Sequence, residues 1–172
     1  MIGKTVAVVL IAAGMLALPG LSPRADDNEQ NAGALARALG AASVPLEQGI
    51  KASKREGKPI SAKYEIENGA LQLSVYTMKG DQFNEVIVDD KSGAIKKSEK
   101  ITDADDLKDA QEQSQAMAKA KLGLAKAVDE AVKASGGYRA VSAMPTLKRG
   151  APMAEITLMK GTAVKKIAEK LD

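Results

Sequence analysis

Six aspartates in two short segments could bind a hard cation. They are Asp89 and Asp90 in one segment and Asp103, Asp105, Asp106 and Asp109 in the other. An EF-hand loop also needs a glycine in its middle and a bidentate glutamate at its end, and the second segment has neither. Acidic residues in the first turn of a helix complement the helix dipole, and an aspartate that opens a turn usually bonds its own backbone. We therefore predict a helix N-terminus and a turn, and no metal site.

Serine and lysine are neighbours at two places, Ser53 with Lys54 and Ser92 with Lys91. A catalytic serine–lysine dyad requires a lysine whose pKa is lowered by burial, so that the neutral amine can accept the serine proton. Both pairs lie in polar segments that we expect to be exposed. No pair of carboxylates is placed in a predicted pocket either. We predict no catalytic residue.

The chain contains no histidine and no cysteine. This composition excludes a Ser-His-Asp triad, a cysteine nucleophile and ordinary zinc, copper or haem sites, and we predict no cofactor. It also excludes disulfides, so an exported form must be held together by burial alone. The seven methionines are spread over several predicted elements, which favours core packing over copper binding. They include Met78, Met117, Met144, Met153 and Met159.

Residues 1–25 have the pattern of a signal peptide. Lys4 precedes an apolar run over residues 5–18, which Pro19 and Gly20 end. The run is shorter than the roughly 20 residues that span a bilayer, so we predict export to the periplasm or outside the cell, with no membrane span afterwards. Cleavage after Ala25 is predicted, although Pro23 is not the small residue that signal peptidases prefer at that position. An uncleaved N-terminal anchor is the alternative.

Charge and aromatic content argue against nucleic acid as a partner. The chain has 25 basic and 22 acidic residues, and loss of Lys4 and Arg24 with the signal peptide would leave a net charge of +1. Basic and acidic residues are interspersed, and aromatic residues are only 2% of the chain. Nucleic-acid binding normally uses a basic face and, for single strands, aromatic side chains on which bases stack. Both are missing from the sequence pattern.

Two short helices are predicted before the first strand. Residues 26–43 form an N-terminal arm in which Leu35 and Leu39 share one face of a helix that ends near Gly40. A second helix begins around Pro45, since proline is tolerated in a first helical turn. Its apolar face contains Leu46 and Ile50, and residues 57–59 end it.

From residue 60 the apolar residues recur at every second position, which is typical of β-strands with one wet face. The polar positions of the first strand are Ser61, Lys63, Glu65 and Glu67. Asn68 and Gly69 favour a type I′ turn, and the returning strand buries Leu71, Leu73 and Val75. A turn at residues 79–81, a third strand over 83–88, an acidic loop over 89–93 and a short fourth strand over 94–97 follow.

Residues 44–97 resemble a PepSY domain, in which a helix leads into antiparallel strands. The most specific part of the resemblance is the closing run Val-Asp-Asp-Lys-Ser-Gly-Ala-Ile over residues 88–95. PepSY domains are found in the propeptides of thermolysin-type metallopeptidases and in small exported bacterial proteins. The resemblance implies contact with a secreted peptidase, and inhibition of it.

The second half of the sequence repeats the first at one constant offset, which carries Gly69 to Gly150. Thr-Met-Lys-Gly over 77–80 is echoed at this offset by Leu-Met-Lys-Gly over 158–161. A register that holds over several turns and core positions favours a duplication. The repeat predicts a strand near the C-terminus, whereas the spacing of the apolar residues there also suits a helix. Further matched pairs are Val75 and Ile156, Phe83 and Val164, and Val86 and Ile167.

A long helix is predicted between the two copies, beginning at Thr102 with Asp105 three residues on in a capping-box arrangement. Apolar residues at spacings of three and four form one stripe that runs past Gly123. We expect this stripe to cover a sheet face of the second copy, and docking of a partner is the alternative. The stripe contains Leu107, Ala110, Ser114, Met117, Leu124, Val128 and Ala131, and Lys121 interrupts it.

These patterns together predict an α+β fold of two PepSY-like units, each a helix packed on its own antiparallel β-meander, with the second unit truncated. The predicted divisions are a signal peptide (1–25), an N-terminal arm (26–43), the first unit (44–101), and a long helix with a degenerate second unit (102–172).

The favoured function is a non-enzymatic binding module of the bacterial envelope whose protein partner adds a strand to an open sheet edge. The alternatives are a structural or stress-related envelope protein without a dedicated ligand, or a hydrolase with a serine–lysine or carboxylate pair. The sequence identifies neither the binding residues nor the oligomeric state.

Overall fold

A computed structural model of the protein describes the backbone of residues 25–172 and the side chains of residues 32–172. The predicted signal peptide lies outside the described residues, apart from its last residue. Within the described part, no helix is long and apolar enough to cross a membrane.

Residues 25–172 form four α-helices, one 3₁₀ turn (Ser53–Arg55) and seven β-strands, which confirms the predicted α+β class. The helices are α1 (Ala25–Leu39), α2 (Leu46–Ala52), α3 (Ala104–Lys119) and α4 (Leu124–Lys133). The strands are β1 (Lys58–Glu67), β2 (Ala70–Lys79), β3 (Gln82–Val88), β4 (Ile95–Lys100), β5 (Arg139–Lys148), β6 (Ala151–Lys160) and β7 (Ala163–Lys170).

The seven strands form one antiparallel sheet in the order β4-β3-β2-β1-β5-β6-β7. The two predicted meanders are the two halves of this one sheet. The two meanders join where β1 pairs with β5, through Ala62 opposite Ala143 and Lys63 opposite Ser142. Pairing satisfies backbone groups that two separate sheets would leave free along those edges.

The pairing register is the same in both halves of the sheet. The residue pairs between β1 and β2 recur between β5 and β6 at the offset of the sequence repeat. The residue pairs between β2 and β3 recur in the same way between β6 and β7. The irregularity between Pro59 and Ser61 recurs between Ala140 and Ser142. Ala62 and Ala143, which face each other where the halves meet, are equivalent positions of the repeat. The predicted C-terminal strand is confirmed as β7, and the helical alternative was wrong.

The hairpin turns of the two halves also match. Asn68 and Gly69 have φ angles of 51° and 79°, which confirms the predicted type I′ geometry. Arg149 and Gly150 have φ angles of 52° and 81° at the equivalent turn. Arginine therefore occupies a left-handed conformation that asparagine tolerates better.

Helices cover both faces of the sheet. Side chains alternate along β1, and Tyr64 lies on the face covered by α1, α2 and α4, where its hydroxyl donates to the Val44 carbonyl at 2.5 Å. Helix α3 contacts β1, β5 and β6 on the other face, where the Ser61 hydroxyl donates to Oε1 of Gln113 at 2.5 Å. Ser61 was predicted to face water, but it is fully buried because α3 covers it.

The predicted long helix is two helices. α3 ends at Lys119, Ala120 has an extended backbone, and α4 begins after Gly123. The amides of Lys121 and Leu122 donate to the Leu171 carbonyl, at 2.7 Å and 2.9 Å, instead of continuing the helix. The N-cap of α3 is Asp103 and not Thr102, because the Asp103 side chain accepts from the first-turn amides. The break lets the chain pass from one face of the sheet to the other.

Candidate functional site

The acidic cluster predicted at residues 103–109 is the N-terminus of α3. Oδ1 of Asp103 accepts hydrogen bonds from the amides of Asp105 at 2.9 Å and Asp106 at 3.2 Å. Among the described residues, no group of three acidic side chains could hold a metal ion. The two hydrogen bonds of Asp103 make it the N-cap of α3, and Asp105 and Asp106 in the first turn complement the helix dipole.

Asp89 organises the acidic loop between β3 and β4. Its Oδ1 accepts from the amides of Lys91 at 3.1 Å and Ser92 at 2.7 Å, and from the Ser92 hydroxyl at 2.9 Å. Nζ of Lys96 lies 2.7 Å from its Oδ2. The hydrogen bonds from Lys96 and Ser92 hold the pKa of Asp89 well below its usual range. This carboxylate bonds its own turn, as predicted from its position.

The two serine–lysine pairs do not form dyads. The Ser53 hydroxyl is buried and donates to the Ile50 carbonyl at 2.9 Å, while Lys54 is exposed. The Ser92 hydroxyl donates to Asp89.

The five methionines named in the sequence analysis are spread over four elements: Met78 on β2, Met117 on α3, Met144 on β5, and Met153 and Met159 on β6.

Arg139 is a structural residue that sequence reasoning missed. Its guanidinium donates to the carbonyls of Leu39 at 2.8 Å, Ala42 at 3.0 Å and Val44 at 2.7 Å. It also lies 5.4 Å from the centre of the Tyr64 ring. Arg139 begins β5, so this side chain ties the second half of the chain to the loop between α1 and α2. A lone arginine at the start of a strand carries no sequence signal for such a role.

A polar cluster lies on the sheet face next to α3, around Lys63 and Tyr76. Nζ of Lys63 is 2.7 Å from Oε2 of Glu65 and 5.7 Å from the centre of the Tyr76 ring. Burial raises the pKa of Tyr76 to about 12, against the opposing effect of the Lys63 charge. Burial alone would lower the pKa of Lys63, but its partners Glu65 and Tyr76 raise it overall. The charged and polar groups of this cluster pair with one another, which is typical of a structural network.

A groove of about 470 Å³ opens between α2, the start of β1, the end of α3 and the start of α4. Its floor consists of the buried residues Ile50, Pro59, Met117, Leu124 and Ala125. Its rim carries Lys51, Lys54, Lys58, Lys126 and Asp129. Sequence reasoning missed this groove because its lysines come from four separate elements: α2, the 3₁₀ turn, β1 and α4.

In the part of the chain that the structure describes, the outer strands β4 and β7 each pair with one neighbouring strand. Each contains three lysines and one glutamate. Val164 on β7 is 50% exposed and is the large apolar residue that stands out on the described surface. Lysines on an edge strand discourage pairing with a similar edge, and they also attract an acidic segment.

Comparison with known proteins identifies no family for this chain. No protein-family model and no curated protein matches it. A solved structure that is similar to it is that of a putative lipoprotein from Clostridium difficile 630, with 15% sequence identity and a TM-score of 0.42. The similarity covers 76% of this chain and 88% of the other. A match this distant carries no argument about function, so the PepSY resemblance continues to depend on the residues that suggested it.

Proposed function

We propose that this chain is a non-enzymatic, PepSY-type binding module of the bacterial envelope, exported to the periplasm or outside the cell. It binds a protein partner by adding an extended acidic segment of that partner to strand β7. The observation that carries the proposal is the basic outer side of β7, with which no other strand of residues 25–172 pairs. Unpaired backbone groups on such an edge supply affinity to an extended peptide.

Strand β7 is a better acceptor for an added strand than β4. β7 has eight residues and β4 has six, so a partner gains more backbone hydrogen bonds on β7. On β4 every side chain except Ile95 is exposed. On β7, Val164 and the half-buried Ile167 offer apolar surface to a partner's side chains. An added strand therefore buries more apolar area on β7.

The charge of β7 favours an acidic partner over a second copy of the same chain. Lys165, Lys166 and Lys170 outnumber Glu169 on this strand. Antiparallel pairing of two β7 strands would bring lysines of one copy close to lysines of the other, and like charges on neighbouring strands are destabilising. The acidic side chains of a partner segment would instead be attracted by these lysines.

The test uses an N-acetylated peptide of eight residues in which valine and glutamate alternate. We expect it to bind the protein at low ionic strength, to weaken as salt is added, and to shift backbone NMR signals along β7. The double variant Lys166→Glu, Lys170→Glu should abolish binding. Lys97→Glu, Lys100→Glu on β4 is the matched control, since it reverses two exposed lysines on the other edge. Equal loss in both variants would contradict the assignment to β7.

The proposed peptidase partner follows from the PepSY resemblance and needs its own assay. We expect a purified thermolysin-type metallopeptidase to lose activity in proportion to added protein, and the β7 variant to inhibit less. Unchanged peptidase activity together with intact binding of the acidic peptide would mean that the module binds a different protein. Hydrolysis of a substrate by the purified chain alone would instead favour the hydrolase alternative.

A further inference from the structure

The turn between β1 and β2 consists of an asparagine followed by a glycine, and both residues are exposed. The chain has four asparagines, Asn28, Asn31, Asn68 and Asn84, and Asn68 is the one that precedes a glycine. The side-chain amide of an asparagine can react with the backbone nitrogen of the next residue, and a glycine leaves that nitrogen accessible because it has no Cβ. The turn therefore contains both groups that this reaction needs.

The backbone nitrogen of Gly69 is free to act as the nucleophile. Within residues 32–172 its N–H donates no hydrogen bond, since the hairpin pairs Glu67 with Ala70 on either side of the turn. Beyond the two adjacent residues, no heavy atom lies within 4 Å of a Cβ built on Gly69, so the space beside this nitrogen is open. Water and hydroxide can therefore reach the amide proton.

The side-chain amide of Asn68 is the electrophile. Within the same residues it makes one hydrogen bond, from its Nδ2 to Oε1 of Glu67 at 3.3 Å. Ring closure requires Asn68 to rotate about its Cα–C bond, and so to leave the type I′ turn. An exposed loop tip opens locally at low cost in free energy, so this rotation is accessible in the folded protein.

The other three asparagines lack these conditions. Asn84 is 7% exposed in β3, its Oδ1 accepts from Nε2 of Gln82 at 2.6 Å, and it precedes Glu85. Asn28 and Asn31 lie within α1, where they precede a glutamate and an alanine. At these positions the strand or the helix must open before the ring can close.

We propose that Asn68 is a site of spontaneous deamidation. The nitrogen of Gly69 loses its proton to a base and bonds to Cγ of Asn68, the bond from Cγ to Nδ2 breaks, and ammonia leaves behind a five-membered succinimide. Water then adds to one of the two ring carbonyls and opens the ring. Addition at Cγ gives aspartate, and addition at the backbone carbonyl gives isoaspartate, in which the chain runs through Cβ and Cγ.

The two products affect the hairpin differently. Isoaspartate adds one backbone carbon to a two-residue turn whose geometry fixes the register of β1 and β2, so it should weaken their pairing. Aspartate tolerates the left-handed conformation of the turn, so it should leave the pairing intact. An aged sample should therefore contain two products of different stability.

The test incubates the purified full chain in H₂¹⁸O at mildly alkaline pH and then digests it briefly with trypsin in ordinary water. The heavy oxygen enters during the incubation, so mass spectrometry separates this product from deamidation during digestion. Cleavage after lysine places Asn68 in peptide 64–79 and Asn84 in peptide 80–91, and fragmentation assigns the mass gain to a residue. We expect Asn68 to react about tenfold faster than Asn84 or more, and the rate to rise with pH because the attacking nitrogen must lose its proton.

Arg149→Asn is the matched control, because it places an asparagine before Gly150 in the equivalent turn, where the φ angles are 52° and 81°. We expect residue 149 of this variant to react at a rate similar to that of Asn68. The proposal fails if Asn68 stays unchanged in the folded chain, if Asn84 reacts first, or if residue 149 of the variant does not react. The result is independent of the β7 assay, because the turn joins β1 and β2.

Discussion

Arg139 shows how one side chain can hold two halves of a fold together. Its three hydrogen bonds go to backbone carbonyls that precede α2, far earlier in the chain. A planar guanidinium with several donors makes such a fork, and a lysine does not. The contact with the Tyr64 ring adds a cation–π attraction.

We expect Arg139→Met to lower the free energy of unfolding by about 2–4 kcal/mol, because it removes three hydrogen bonds from a charged donor to backbone carbonyls, together with the contact to the Tyr64 ring. Urea denaturation followed by circular dichroism measures the change. Arg37→Met, at an exposed position on α1, is the control and should change stability by less than about 0.5 kcal/mol. Similar losses in the two variants would show that the Arg139 hydrogen bonds do not stabilise the fold.

Tyr76 should titrate at unusually high pH. Its pKa is raised to about 12 by burial, so absorbance at alkaline pH should show a phenol that stays protonated at pH 11, and Tyr76→Phe should remove it. Since the folded pKa exceeds the ordinary value of about 10, stability should fall as pH rises from 10 towards 12. In urea the phenol should return to its ordinary pKa. A normal titration in the folded protein would contradict the burial of this side chain.

At the scale of single elements, the two hairpin turns offer an internal comparison. Both turns need a residue with positive φ before glycine, and the chain uses Asn68 in one and Arg149 in the other. Asparagine tolerates this conformation better than arginine does. The turns are exposed, so packing does not complicate the difference.

We expect Arg149→Asn to raise the free energy of unfolding by about 0.5–1 kcal/mol and Asn68→Arg to lower it by a similar amount. Thermal and urea unfolding of the two variants measure the changes. The critical result is that the two substitutions change the free energy of unfolding in opposite directions. If both substitutions stabilise the protein, or if neither does, the preference of a residue for positive φ does not determine how much these turns contribute to stability.

At the scale of the whole molecule, the continuous sheet makes the two halves mutually dependent. β1 and β5 pair at the centre, and Arg139 connects the second half to the loop before α2. Two separate units would each unfold with their own transition. One shared sheet predicts that they unfold together.

We expect a single calorimetric transition that both Ile60→Val and Ile156→Val shift to lower temperature. Each isoleucine is fully buried, one in each half, and each substitution should cost about 0.5–1.5 kcal/mol. That corresponds to a shift of roughly 1–6 °C for a chain of this length. Two resolved transitions, each sensitive to only one of the substitutions, would show that the halves fold independently.

The candidate binding surfaces were only partly predictable from sequence. Any antiparallel meander has an open edge. Which strands are outermost depends on how the two halves meet: because β1 pairs with β5, β4 and β7 lie at the edges. The rim lysines of the groove come from positions as distant in the chain as Lys51 and Lys126, so no local pattern connects them. The exclusion of sites that need histidine or cysteine, in contrast, needed composition alone.

Local preferences in the sequence determined most of the strands, the Asn68–Gly69 turn, the buried faces of β2 and α2, and the internal repeat that extends to β7. These features depend on neighbours a few residues apart, whose polarity and backbone preferences act in any context. Tertiary structure alone decided that the two meanders share one sheet, that the helix breaks before Gly123, and that α3 buries Ser61. Those outcomes arise from hydrogen bonds between distant segments, such as Leu171 with Lys121, whose free energy appears only when the chain has folded.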